Sequence, residues 1–263
     1  MNLLKMVLSG LAATCCTGFL VASAMACDGD EEPSEEDLRE VEEITRQVVE
    51  SDGSNADFVF AHVTDNLIRT VLFATRQDCM AAPAECIGEP ASILSMSDTD
   101  IDGETATTVA VSSFGTFEIG LVREAGDWLV DSLVAASDEV PSGATSVDLR
   151  LAEFSFEFDS AQIPGDGNLV FRVRNAGAQM HEVAVVAIRD GQTLELALEQ
   201  VFAEEVPPVG LKVFIAPGQT VDMAFESPLP PGKYALVCFF PDVEDPEFTE
   251  HFQKGMVAEF DVR

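Results

Sequence analysis

The second half of the chain limits the fold most. Between Val147 and Arg263, seven short runs alternate apolar and polar residues: VDLRLAEFSFEF, NLVFRVRN, HEVAVVAI, KVFIA, TVDMAFES, KYALVCFF and MVAEFDV. A period of two sends one side of each run into a core and the other into water, as strands do and helices do not. Pro164-Gly165-Asp166-Gly167, Asn175-Ala176-Gly177, Pro217-Gly218 and Pro230-Pro231-Gly232 divide the runs. Short strands separated in this way predict an all-β Greek-key sandwich over residues 147–263, with only Thr193 to Phe202 reading as helix.

The first half is built differently. Leu38, Val41, Ile44, Val48 and Val49 recur at three- and four-residue spacing after Ser34-x-x-Asp37, an amphipathic helix behind a capping box. Phe58 to Val63 and Leu67 to Phe73 are further helical segments, with Thr64 or Asp65 as the cap between them. From Ser92 the pattern turns to strands: SILSMS, TATTVAVSS, FEIGLVRE and DWLVDSLV, separated by Asp102-Gly103 and Gly126-Asp127. Helices followed by a hairpin-connected sheet predict an α+β domain over residues 38–136. A polar stretch, residues 137–146, reads as the linker. The order of elements and the run from Leu121 to Asp131, with its Gly126-Asp127-Trp128 turn, resemble the cone-shaped NTF2-like family, which implies a docking or ligand-binding module.

The start of the chain is distinct again. Lys5 precedes an uncharged stretch from Met6 to Ala26 that ends in Ala22-Ser23-Ala24-Met25-Ala26, as an export signal does, and residues 1–26 are read as a signal peptide. The competing reading is a retained membrane anchor. Cys27 follows directly and suits lipidation at a bacterial lipoprotein junction, while Ala24-Met25-Ala26 suits an ordinary signal peptidase equally well. Residues 27–37, which include DGDEEPSEED, are expected to form a solvated acidic tether. The chain is thus expected to be exported, to a bacterial cell envelope or beyond it, touching a membrane only through an N-terminal lipid.

Charge excludes one class of partner. With 47 acidic and 14 basic residues, the formal net charge is -33. Such a field repels polyphosphate, so nucleic acid is excluded and any charged protein partner is expected to be basic. The bland alternative for the acidic surplus is adaptation to salt.

Of six cysteines, Cys15 and Cys16 lie in the signal segment. Cys79 and Cys86 fall in a turn-rich segment with no histidine near, and in an oxidising compartment they are read as a disulfide worth about 2–3 kcal/mol. Cys238 then remains as the thiol that matters. Together with His181, His251 and Met256 it supplies a thiolate, two imidazoles and a thioether, all at strand or loop ends that a sandwich can gather at one pole. That donor set suits copper in both oxidation states.

Four pieces of the second domain carry a closer likeness: Asn175-Ala176-Gly177 before His181, Ala216-Pro217-Gly218-Gln219-Thr220, Pro231-Gly232-Lys233-Tyr234 ahead of Cys238, and His251-x-x-x-Gly255-Met256 leading into Glu259-Phe260-Asp261-Val262. They resemble the cupredoxins, the plastocyanin and azurin type of blue-copper sandwich, over 147–263. The resemblance implies one type 1 copper ion held by His181, Cys238, His251 and Met256. It also implies single-electron transfer to a redox partner, with no catalytic residues. Two features depart from the pattern. Twelve residues, Phe239 to Glu250, separate Cys238 from His251, and Glu182 stands where Asn is usual; a long acidic loop is expected to lower the reduction potential. Phe239, Phe240 and Phe252 are expected to keep water away.

Other readings compete. The sandwich is alternatively a metal-free envelope binding protein, or serves copper storage or delivery. His62 with Asp65 is a candidate acid-base pair in the first domain, although their spacing also fits one helix face without chemistry.

Overall fold

A computed structural model describes residues 33–87, 90–113, 115–203 and 205–263. The signal segment, Cys27 and the tether up to residue 32 lie outside the described residues.

Helix α1 (Glu35–Val49) starts where the capping pattern places it. The Ser34 hydroxyl accepts the Asp37 N–H at 3.0 Å, and Val41 and Ile44 turn inward. The expected tether therefore ends sooner. Glu35, Glu36 and Asp37 form the first helical turn, where carboxylates sit beside the free N–H groups of the helix start. Helices α2 (Ala56–Ala61) and α3 (Asp65–Val71) follow; Thr64 is the cap, accepting the Leu67 N–H at 3.1 Å. Short helices α4 (Arg76–Ala81) and α5 (Pro83–Ile87) are joined by a disulfide between Cys79 and Cys86.

An antiparallel meander comes next: β1 (Ile93–Asp102), β2 (Thr105–Ser112), β3 (Gly115–Glu124) and β4 (Asp127–Ala135), in that spatial order. Ala125 and Gly126, with φ of 55° and 103°, form the two-residue turn between β3 and β4; two left-handed residues match the twist of the paired strands. Trp128 just beyond is fully buried, with the Arg123 guanidinium 4.3 Å from its ring centre. Thr64 N–H donates to the Val130 carbonyl, and Val130 N–H to that of His62, so the helices are fastened to β4.

The C-terminal part is a sandwich of two four-stranded sheets. One runs β10 (Thr220–Ala224), β7 (Leu169–Asn175), β5 (Thr145–Ala152), β6 (Ser155–Glu157). The other runs β12 (Val257–Val262), β11 (Gly232–Val237), β8 (His181–Ile188), β9 (Gly210–Ile215). Strands β5 and β7 are parallel, with Val147 opposite Phe171; the remaining pairs are antiparallel. Leu149, Leu151, Phe171, Val173, Val183, Val185, Leu236 and Phe260 fill the space between the sheets. Helix α6 (Leu194–Phe202), capped by Thr193, covers the outer face of the second sheet over Ala184, Val186, Ala235 and Val237. Strand β8 is therefore buried on both faces, which is why HEVAVVAI barely alternates.

The expected linker is fixed in place. Asp138 accepts from the ammonium of buried Lys212, and its carboxylate also takes the Ala224 N–H at 2.9 Å. A buried ammonium without a partner is costly, so this pair anchors residues 136–138 on β9 and β10. Strand β5 already begins at Thr145.

Phe171 is completely buried among Phe158, Phe225 and Phe260. Its replacement by Ala removes a large part of the sandwich core and is expected to cost about 3–5 kcal/mol in urea unfolding. A loss below 1 kcal/mol contradicts this packing.

Candidate metal centre

Local chemistry places each donor. At the end of β7, the Asn175 amide donates to the carbonyls of Gln179 and Ile215, both at 2.8 Å, while its oxygen accepts the Gly177 N–H at 2.9 Å. This buried side chain pins the turn and delivers His181 at the first position of β8.

Cys238 lies one residue past β11. The twelve residues after it fold back on themselves: Pro241 bridges Glu250, and the Asp242 N–H donates to the Thr249 carbonyl at 2.9 Å. The chain returns at once, with the His251 N–H bound to the Phe240 carbonyl at 2.8 Å and the Phe252 N–H to that of Cys238 at 2.9 Å. A single 3₁₀ turn (His251–Lys254) and Gly255, with φ of 108°, then bring in Met256. Its N–H donates to the His251 carbonyl at 3.0 Å, and its carbonyl accepts the Cys238 N–H at 3.3 Å. The long insertion thus closes as a side hairpin, and sequence separation does not become spatial separation.

His181, Cys238 and His251 converge, and all three are fully buried. The two Nδ1 atoms are 3.1 Å apart; Cys238 Sγ is 3.4 Å from Nδ1 of His251 and 3.9 Å from Nδ1 of His181. Nitrogen and sulfur donors bound to one ion at about 2.0 to 2.3 Å stand roughly 3.1 to 3.9 Å apart, so this triangle has the size of a coordination plane. Met256 is buried beside it and tied through its backbone to both Cys238 and His251.

Hydrogen bonding sets the orientation of one imidazole. Gln179 Oε1 takes the Val243 N–H at 3.1 Å and faces His251 Nε2 at 3.4 Å, so the proton belongs on Nε2 and the Nδ1 lone pair points inward. The Gln179 amide in turn donates to Asp242 at 2.8 Å. The His251 lone pair, the Nδ1 of His181 and the thiol sulfur face one another closely enough to share a cation. The set of two imidazoles and a thiolate, with a thioether next in the chain, fits one type 1 copper ion.

Burial also fixes the protonation of the metal-free site. Desolvation pushes His181 down to about 4 against the opposing pull of Glu153, and pushes His251 down to about 4 with the help of His181. Burial raises the Cys238 thiol well above its ordinary range, and the neighbouring Glu182 raises it further. Glu182 is itself driven up to about 8 by burial, although its carboxylate accepts the Phe239 N–H at 2.7 Å. Its own N–H points at Cys238 Sγ from 3.4 Å. At neutral pH these four side chains are therefore a thiol, two neutral imidazoles and a carboxylic acid, and a metal must displace the thiol proton.

The remaining sequence candidates fall elsewhere. His62 caps α2, stacks on Phe58 at 4.0 Å between ring centres, and gives its Nδ1–H to the Phe58 carbonyl at 2.8 Å. Asp65 is paired with Arg76, so the two do not make an acid-base couple. Phe240 packs in the main core, whereas Phe239 and Phe252 sit under Phe202 of α6. Gln179 and Asp242 had no signal in the sequence beyond nearness to His181 and the ligand loop, and Glu153, 28 residues before His181, had none.

No protein-family model matches the chain, and neither does any curated protein. Among solved structures, 46% of the chain is similar to 99% of the dithionite-reduced auracyanin of Roseiflexus castenholzii, at 18% identity and a TM-score of 0.31. Auracyanin B is similar over 49% of this chain and 98% of its own, at 19% identity and a TM-score of 0.29. A heme-copper terminal oxidase matches 49% of this chain and 72% of its own at 14% identity, with a TM-score of 0.23. Such scores identify no family, and the functional reading rests on the donor set.

The pKa directions predict how metal-free protein responds to pH. Both histidines bind protons more weakly folded than unfolded between about 4 and 6.5, so stability falls as pH drops through that window. The loss is on the order of 3 kcal/mol per imidazole. Glu182 acts oppositely: its folded value is raised from 4.5 to about 8, so its contribution is lost as pH rises across that range. Urea midpoints should peak near pH 6.5, the unperturbed histidine value, and decline on both sides. A midpoint that is flat from pH 4.5 to 8 contradicts the burial of these groups.

Proposed function

We propose that this chain is an exported copper protein of the cupredoxin type that carries single electrons and performs no catalysis of its own. One observation supports this above the others: two imidazole nitrogens and one thiol sulfur face each other at 3.1 to 3.9 Å in a site closed to water. Copper held there supplies a one-electron couple. The protein's part is to keep the donors still. His181 is fixed by the Asn175 turn, and Cys238, His251 and Met256 are linked by main-chain hydrogen bonds, so the same side chains meet either oxidation state with little rearrangement. His181, Cys238 and His251 form the plane, and Met256 is proposed as the weaker fourth ligand.

The region from α1 to β4 is proposed as an accessory NTF2-like binding module. The reading also includes export to a bacterial envelope, lipid attachment at Cys27 and a basic redox partner; the net charge of -33 favours attraction of such a partner over long distances.

Adding Cu(II) to the folded protein should give an intense thiolate-to-copper visible band that saturates at one copper per chain and disappears in Cys238→Ser. The band should bleach and return reversibly with one electron. A folded wild type that never shows the band contradicts the proposal and favours a metal-free binding protein. A band without reversible reduction favours storage or delivery.

A further inference from the structure

The outer nitrogen of His181 has an unusual surrounding. Nε2 is fully buried, and no hydrogen-bond partner reaches it among the described residues. The nearest carboxylate is that of Glu153, 3.8 Å away. Glu153 is not drifting there. Its Oε1 accepts the Gln179 N–H at 3.1 Å and the Ala178 N–H as well, which locks the oxygen to the very turn that delivers His181.

Two backbone features keep this approach open. Glu153 and Phe154 form the two-residue turn between β5 and β6, and Phe154 holds φ at 61°, a left-handed value that a bulky residue adopts only under constraint. The Phe154 ring lies edge-on to His251 with centres 5.3 Å apart, so one strained turn covers both histidines. Gly177 supplies the other feature. A Cβ there would lie 2.4 Å from Glu153 Oε1 and 2.9 Å from His181 Nε2, filling the gap between them. Glycine is needed at 177 for this close approach, since its φ is not in the left-handed region.

We propose that Glu153 is the positioning residue for His181: its carboxylate draws the proton to Nε2, turns the Nδ1 lone pair toward Cys238 and His251, and strengthens that nitrogen as a donor. It does for His181 what Gln179 does for His251, with a full negative charge in place of an amide dipole. Carboxylates behind ligating histidines raise the ligand's basicity. A more basic imidazole favours the more positive metal state, so Glu153 also holds the potential down. The effect on copper rests on the function proposed above; the tautomer of His181 does not.

Full-length protein carrying Glu153→Gln tests the charge alone, because the amide oxygen still accepts the two N–H groups. Cu(II) affinity is expected to fall about 10- to 100-fold with a smaller change for Cu(I), while the visible band persists. Each tenfold change in that ratio raises the midpoint by about 59 mV. Glu153→Asp should restore part of the shift. In metal-free protein, ¹⁵N NMR should find His181 protonated at Nε2 in the wild type and as a tautomer mixture in Glu153→Ala. Unchanged affinity and midpoint in Glu153→Gln overturn the tuning role, and His181 protonated at Nδ1 in the wild type overturns the positioning role. If wild type shows no copper band, the copper reading fails and the NMR result alone decides the role of Glu153.

Discussion

The structure depends on a meeting of two chain segments that are far apart in sequence: the start of β8 and the stretch from Cys238 to Met256. The Glu182 side chain and backbone reach across to Phe239 and Cys238, and main-chain bonds then tie residues 238, 240, 251, 252 and 256 into one knot. None of these bonds is strong by itself, since each contributes on the order of 1 kcal/mol. Their joint effect is geometric. The knot holds Cys238, His251 and Met256 together, and the Glu182 contacts bring the start of β8, with His181, against them.

The contrast between surface and centre is the second organising fact. The chain carries a formal charge of -33, yet the three converging side chains are neutral at pH 7 because burial outweighs the surrounding field. Glu182 shows the same force from the other side, a fully buried carboxyl group pushed up to about 8. Lys254 marks the border, paired with Asp242 and Asp245 while lying over the Phe154 ring. A dry, neutral pocket beneath an acidic skin lets a soft cation gain from thiolate chemistry what surface carboxylates do not offer.

Much of this was legible in the sequence, for identifiable reasons. Period-two runs and Gly/Pro turns define strands because they report local backbone preference, and they marked the sandwich and the meander. Capping residues did the same for Ser34 and for the Thr64 or Asp65 position, where Thr64 is the cap. The donor residues stood out because histidine is scarce in this chain and Cys238 is a thiol inside an apolar run. Long-range partnerships left no such trace. Nothing local announces that Lys212 would bury itself against Asp138, converting an expected linker into a fixed strap. Nor does a polar Gln179 or Glu153 differ in sequence from any exposed neighbour; their roles arise from which turn the fold lays across the histidines. The acidic tether is shorter than its charge implies, because charge repulsion and helix capping make opposite claims on Glu35 to Asp37, and the helix start wins.

These three side chains, and not the abundant surface carboxylates, form the site suited to copper. X-ray absorption at the copper edge on protein loaded with one equivalent tests it most directly. One short sulfur and two nitrogen neighbours around copper are expected. A shell of oxygen neighbours without sulfur, in protein that is folded and fully reduced at Cys238, would contradict it.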